Sequence, residues 1–180
     1  MGKANIAVFC VGNMLMLDDG VGPAVYHELQ AYDFGERVDV FDVGCMSMEL
    51  VSVVDRYDVI VTVDAVDDAG HEPGTIFRYA PEDMAKRAFG SQSLHDLRLS
   101  DLFDAASLLG YSAEGVCYGM QVENASPAEA TIGLTPKVYA KLADLVDCIL
   151  AELVHRDVAV TVKATGALVE PGYHHMLEAE

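Results

Sequence analysis

The sequence predicts a single α/β domain built on a mostly parallel, twisted sheet of about five strands flanked by helices. Two observations carry this prediction. Strand and helix patterns alternate over residues 5–63 in the order β-α-β-α-β, and right-handed crossovers between such strands produce a parallel sheet. Residues 57–63 (YDVIVTV) are also rich in β-branched side chains, which is typical of a central strand covered on both faces.

Apolar periodicity and turn residues delimit the elements in chain order. Strands are predicted at residues 5–11, 38–43, 57–63, 75–79, 115–122 and 158–162. Helices are predicted at residues 21–32, 47–56, 81–89, 99–109 and 136–155. Gly12-Asn13 and Gly44 end the first two strands, and Thr135-Pro136 is a favourable start for the last helix. We expect residues 1–165 to form one domain and residues 166–180 to form a mobile tail.

The composition limits the kinds of partner that the protein is expected to bind and the cellular compartment in which it is expected to act. The chain has 180 residues, of which 52% are hydrophobic, and a formal net charge of −18. Such a charge argues against a nucleic-acid or anionic-membrane partner, and suits either a partner with a basic face or a role in solubility. The cysteines are scattered with no C-x-x-C pair, which is typical of free thiols in a reducing cytosol. With no apolar run of about 18 residues, the protein is expected to be soluble and cytoplasmic.

Two carboxylates and one imidazole are predicted near the carboxyl ends of the strands, where α/β sheets bind their ligands. Asp19 lies between the first strand and the first helix, Asp64 follows the central strand, and His95 precedes a helix. The carboxyl ends of consecutive parallel strands meet at one rim, so we expect Asp19 and Asp64 to converge there. This donor set suits a borderline divalent ion such as nickel or zinc. From spacing alone, an Asp that only caps a helix and a His that only lies on the surface remain alternatives.

Two other classes of α/β domain fit the pattern poorly. The loop after the first strand is longer than a G-x-G-x-x-G dinucleotide loop, and its carboxylates would repel a pyrophosphate. A phosphotransfer receiver domain needs its acidic pair directly after the first strand, whereas Asp18 lies seven positions beyond Val11. That class also needs a Lys after a late strand, and no Lys ends the strand predicted at residues 115–122.

An ordered series of motifs covers residues 6–140. They are Gly12-Asn13 with Asp18-Asp19-Gly20-x-Gly22, Asp42-x-Gly44-x-x-x-Met48-Glu49-Leu50, Val63-Asp64-Ala65, Pro73-Gly74-Thr75, Ser93-x-His95-Asp96-x-x-Leu99, and Gln121-x-Glu123 ahead of Gly133-Leu134-Thr135-Pro136. Each motif is common, but their order and spacing together are specific. Through them the chain resembles the hydrogenase maturation endopeptidases of nickel–iron hydrogenases, which are often classed as aspartic-type proteases.

The resemblance implies a three-layer α/β/α fold in which Asp19, Asp64 and His95 bind the metal. The metal that the resemblance implies is nickel, which the substrate would supply and for which zinc or cadmium would substitute. The implied partner is the large-subunit precursor of a nickel–iron hydrogenase, whose C-terminal extension is removed after nickel insertion; the free protein is expected to be monomeric. Relatives often have Glu at the position of Asp19, so either the loop approaches more closely here or Asp18 shares the role.

Asp42, at the end of the second strand, is the candidate for a nearby acid–base carboxylate. The alternative is that Asp42 only caps the helical region near Ser47. A different class of function also fits the same three ligands, namely a non-enzymatic nickel-binding chaperone that recognises the precursor and cuts nothing.

Overall fold

The main sheet follows the predicted pattern. The computed structural model describes residues 5–44, 48–67, 70–81, 99–172 and 174–178. These contain β1 (Ile6–Val11), β2 (Tyr32–Asp33), β3 (Val38–Gly44), β4 (Val59–Val66), β5 (Ile76–Tyr79), β6 (Glu114–Gln121), β7 (Thr161–Val162) and β8 (Leu177–Glu178). Six of these strands form one sheet in the order β3-β1-β4-β6-β5-β8, while β2 pairs with β7. Only the β5–β6 pair of the main sheet is antiparallel, which confirms the mostly parallel sheet.

Helices cover both faces of the sheet. They are α1 (Val21–Leu29), α2 (Val51–Val54), α3 (Leu99–Leu108), α4 (Pro136–Tyr139) and α5 (Leu142–His155). The buried side chains of α1, α4 and α5 belong to one core cluster, and those of α2 and α3 belong to a second. The sheet separates the two clusters, so the three-layer α/β/α architecture is confirmed. Among the described residues, no helix is both long and apolar enough to cross a membrane.

Strand alternation explains why the central strands are apolar along their whole length. In β1, Ile6, Val8 and Cys10 pack in the α1/α5 layer. The intervening Ala7 and Phe9 pack in the α2/α3 layer, and all five side chains are fully buried. A parallel strand with helices on both faces has no solvated face. Its carboxyl end is therefore where polar side chains can first appear.

Several elements differ from their predicted bounds. β4 continues through Asp64, because residues Val59–Val66 pair with β6 along their whole length. The helix predicted over residues 136–155 is interrupted between α4 and α5, and Lys141, which directly precedes α5, has φ −106°. The helix predicted over residues 47–56 consists, within its described part, of a 3-10 turn followed by the single-turn α2. The helix predicted over residues 81–89 lies outside the described residues beyond position 81.

The described part of the C-terminal segment contacts the domain. Leu168 forms an antiparallel bridge with Thr161, and β8 pairs in parallel with β5. His174 lies 3.0 Å from an Asp147 carboxylate oxygen on α5. β8 is the sixth strand of the sheet, beyond the five that were predicted. The mobility of residues 166–180 stays a prediction.

A buried ion-pair network fixes α5 against the sheet. Glu152 accepts hydrogen bonds from the Tyr118 hydroxyl and from Arg156 Nε, both at 2.7 Å, and from Arg78 Nη2 at 3.2 Å. Burial by itself would raise the pKa of Glu152, but these donors and positive charges outweigh it and lower that pKa. The network thus holds α5 against β5 and β6.

Candidate metal and catalytic site

Two glycines let the loop after β1 fold directly over the end of that strand. Gly12 has φ +135°, and a Cβ there would lie 1.9 Å from the carbonyl oxygen of Asp19. A Cβ on Gly22 would lie 1.9 Å from the carbonyl oxygen of Val11. Only glycine tolerates such close backbone approach. The first turn of α1 therefore lies against the strand end, which places Asp19 at the carboxyl rim of the sheet.

Asp18 braces this loop. Its side chain is fully buried. Oδ1 accepts a hydrogen bond from the Thr135 N–H at 2.6 Å, and Oδ2 accepts from the Thr135 hydroxyl at 3.0 Å. Oδ2 also accepts from the N–H groups of Glu123 at 3.1 Å and Asn124 at 3.0 Å. Four donors thus compensate the buried charge, and Asp18 ties the loop after β1 to the loop after β6.

Asp18 therefore has a structural role that the sequence did not reveal. The alternative in which Asp18 shares the role of Asp19 is disfavoured, because its oxygens are engaged by Thr135 and the loop after β6. The available signal was the Thr135-Pro136 motif, in which the Thr reads as an ordinary N-cap. Here its N–H and hydroxyl instead bind a carboxylate distant in sequence.

Asp19 and Asp64 converge at the rim, as predicted. Asp19 Oδ2 accepts a hydrogen bond from the Asn13 N–H at 2.9 Å, and Asp64 Oδ1 accepts from the Ala65 N–H at 2.8 Å. Burial, together with the negative charge of Asp19, raises the pKa of Asp64 from 3.8 to about 7, and the Ala65 hydrogen bond opposes this rise only in part. The two carboxylates are therefore close enough to repel each other.

A pair of mutually repelling carboxylates favours a cation. Any positive charge between Asp19 and Asp64 would offset both the burial of Asp64 and the repulsion from Asp19. Within the described ranges, no group of three His, Cys, Asp or Glu side chains is arranged to hold a metal ion. His95, the third predicted ligand, lies outside these ranges. The structure thus brings two of the three predicted ligands together, and their role in metal binding stays a prediction.

Tyr79 is a neighbour of this pair that sequence reasoning missed. Tyr79 of β5 is buried, and its ring and hydroxyl pack over Gly119 of β6, where a Cβ would lie 3.3 Å from the hydroxyl oxygen. Gly119 is opposite Asp64 in the β4–β6 register. Burial first, then the nearby Cys117 and Asp64, hold the pKa of Tyr79 well above its usual range. Tyr79 and Asp64 lie on strands separated by β6, and nothing in the sequence signals that the phenol and the carboxylate are close.

Asp42 is on the same rim but on a different face. It is exposed on the edge strand β3, and its Oδ1 accepts a hydrogen bond from the Gly44 N–H at 3.3 Å. Cys10 is opposite both Asp42 and Val63, so Asp42 shares a sheet face with Val63 rather than with Asp64. Burial, together with the Asp42 charge, raises the pKa of the Cys10 thiol to about 12. The acid–base role of Asp42 stays a prediction.

Solved structures with this fold define the class of the protein. The hydrogenase maturating endopeptidase HybD from Escherichia coli matches 89% of this chain and 98% of its own, with a TM-score of 0.79 and 28% sequence identity. The fold is therefore that of an endopeptidase.

The chain belongs to the hydrogenase maturation protease family, whose model matches residues 23–152. Similar curated proteins agree. The hydrogenase 2 maturation protease of Escherichia coli is 29% identical over 150 residues, which cover 82% of this chain and 90% of that protein. The hydrogenase expression/formation protein HupM of Azotobacter chroococcum is 32% identical over 164 residues, covering 87% of this chain and 75% of HupM. Family membership makes the protein a hydrolase, and confirms the resemblance found in the sequence motifs.

Proposed function

We propose that this endopeptidase removes the C-terminal extension from the large-subunit precursor of a nickel–iron hydrogenase after nickel has been inserted. The observation that carries the proposal is the pairing of Asp19 with Asp64 at the rim of a hydrogenase maturation protease. A carboxylate pair can recognise a divalent ion. If the precursor already holds that ion as nickel, metal insertion becomes the condition for cleavage.

The proposed metal-binding residues are Asp19, Asp64 and His95. The ion is nickel supplied by the substrate, and zinc or cadmium can take its place. Two carboxylates and an imidazole suit a borderline divalent ion such as nickel or zinc. Asp64, whose pKa is raised to about 7, can exchange its proton for a metal ion at neutral pH. Such an ion would polarise the scissile carbonyl and lower the pKa of a bound water. The backbone N–H groups of Asn13 and Ala65 orient the two carboxylates that face it.

Asp42 is proposed as the carboxylate that transfers protons during peptide hydrolysis. It is exposed at the end of β3, on the rim that carries Asp19 and Asp64. β1 separates β3 from β4, and adjacent strands lie about 4.8 Å apart, so Asp42 acts only on a substrate that spans about 10 Å of the rim. We expect Asp42→Asn to lose cleavage while it still binds the precursor. Undiminished cleavage by this variant would remove Asp42 from the mechanism.

The test is to incubate the wild-type protein with nickel-loaded large-subunit precursor and to measure the masses of the products. We expect a shortened large subunit and a released C-terminal peptide, and we expect neither with Asp64→Asn. A tight complex without any cleavage would favour the nickel-binding chaperone instead.

We further propose that the free protein is monomeric and acts in the cytoplasm. A net charge of −18 at pH 7 disfavours self-association, because two copies repel each other. Cys10, Cys117 and Cys148, which the structure describes, are free thiols, as a reducing compartment would maintain them. Light scattering on the purified protein should give the mass of one chain.

A further inference from the structure

Large apolar side chains are exposed in the loop that leads from β1 to Asp19 and in the loop after β6. Met14 is 48% exposed, Leu15 is 47% exposed, and Ile132 is 71% exposed. We refer to these three side chains as the apolar patch. Clustered exposed apolar side chains next to a functional site are typical of a surface that binds another chain. They are also unexpected on a protein with such a strong net charge.

Backbone hydrogen bonds hold the two segments of the apolar patch together. The Leu17 N–H donates to the Thr131 carbonyl oxygen, and the Thr131 N–H donates to the Leu15 carbonyl oxygen, both at 2.8 Å. A Cβ on Gly20 would lie 3.3 Å from Met14 Cα and 4.0 Å from the Gly133 carbonyl oxygen, so both backbones pack around this glycine.

The buried Asp18 adds its four hydrogen bonds between the same two loops. The apolar patch is therefore presented by a braced surface, and its residues lose little conformational freedom when a partner binds.

The apolar patch is continuous with the candidate site. The Leu15 N–H donates to Asn13 Oδ1 at 3.0 Å, and the Asn13 N–H donates to Asp19 Oδ2 at 2.9 Å. Two hydrogen bonds thus connect a patch residue to the carboxylate. Leu15 is therefore one residue that a polypeptide bound at Asp19 could reach through the Asn13 side of the loop.

We propose that the apolar patch docks the hydrogenase precursor beside its scissile bond, by binding a large apolar side chain flanked by basic residues. This inference rests on the proposed function. Acidic residues near the apolar patch favour basic residues on either side of the precursor's apolar side chain. These acidic residues are Asp19, in the loop that carries Leu15, and the exposed Glu129, two residues before Thr131. The same charge disfavours a second copy of this chain as the occupant, because the copies repel each other.

The test compares cleavage of nickel-loaded precursor by the wild type and by the double variant Leu15→Ser/Ile132→Ser. Loss of two exposed apolar contacts at the centre of an interface should raise KM at least about 10-fold and leave kcat unchanged. The dissociation constant for nickel-free precursor should rise by a similar factor. The matched control is Leu108→Ser, since Leu108 is 89% exposed at the end of α3, before the chain enters β6 from the opposite rim. This control should change neither constant.

Each outcome separates the docking surface from the peptidase. Cleavage with an unchanged KM in the double variant would overturn the docking surface alone. Patch-dependent binding without cleavage would overturn the peptidase and keep the docking surface, whereas a wild type that neither binds nor cuts would overturn both. A wild-type dimer that the double variant converts to a monomer would assign the apolar patch to a second copy, against the proposal.

Discussion

Asp64→Asn should make the metal-free protein more stable at alkaline pH while it abolishes metal binding. The Asp64 carboxylate is held in a partly buried site beside the negative Asp19, and its pKa is raised to about 7. An asparagine keeps the size of the side chain and an oxygen that accepts from the Ala65 N–H. It removes the charge that Asp19 repels. Stability and function therefore oppose each other at this position.

The magnitude follows from the pKa of Asp64. The unfolded chain releases the Asp64 proton near pH 4, whereas the folded protein retains it until about pH 7. The folded state binds more protons across this interval, so its free energy of unfolding falls as the pH rises from about 4 to about 7. A pKa rise from 3.8 to about 7 corresponds to about 4 kcal/mol. Because Asp64 is partly exposed, we expect about half of this, or about 2 kcal/mol and 4–8 °C in Tm.

The assay is thermal unfolding of the wild type and Asp64→Asn in the presence of a chelator, at pH 5 and pH 8. The variant should gain stability relative to the wild type between these two values, and most of the difference should be present at pH 8. Asp42→Asn is the matched control, because it removes one negative charge from an exposed position of the same rim and should change stability by less than about 0.5 kcal/mol. Added nickel should stabilise the wild type and leave Asp64→Asn unchanged. A variant less stable than the wild type at pH 8, or a difference independent of pH, would refute this account of the carboxylate pair.

Three further substitutions test the frame of the site and its third ligand. In a denaturant titration, Gly22→Ala should lose about 2–4 kcal/mol of stability because the new Cβ meets the Val11 carbonyl oxygen. Its control, Gly35→Ala, should lose only about 1 kcal/mol, since Gly35 has φ +66° and open space around it. Asp18→Asn should lose about 2–4 kcal/mol, because an amide cannot accept from all four donors; a value below about 1 kcal/mol would contradict the bracing role. His95→Ala should weaken nickel or zinc binding by more than the ~10–100-fold typical of indirect effects, and an unchanged affinity in titration calorimetry would remove His95 from the ligand set.

The sheet could be predicted because its signals are local. Most of residues 57–63 are apolar because helices cover both faces of β4, so the apolar run itself reveals a buried strand. Gly12 likewise marks the end of β1, where the chain turns. The bounds of the helices were harder to predict, since no proline or glycine lies at the interruption between α4 and α5. The pairing of β8 with β5 joins residues 100 positions apart, such as Phe77 and Leu177, and no local pattern encodes such a contact.

Some features of the candidate site could likewise be predicted from the sequence, and others could not. The convergence of Asp19 and Asp64 follows from topology alone, because consecutive parallel strands end at one rim. The different roles of the adjacent Asp18 and Asp19 do not follow from it, since only the fold shows that Asp18 meets the loop containing Thr135. The face of Asp42 likewise depends on the register between β3 and β1, which the sequence does not specify.

The central claim is that the metal held by the precursor licenses cleavage through the carboxylate pair. The measurement that tests it most directly is mass spectrometry of nickel-loaded and nickel-free large-subunit precursor after incubation with the wild-type protein under identical conditions. The account predicts that only the nickel-loaded precursor loses its C-terminal extension, and that Asp64→Asn leaves both intact. Equal cleavage of the two precursors by the wild type would contradict it.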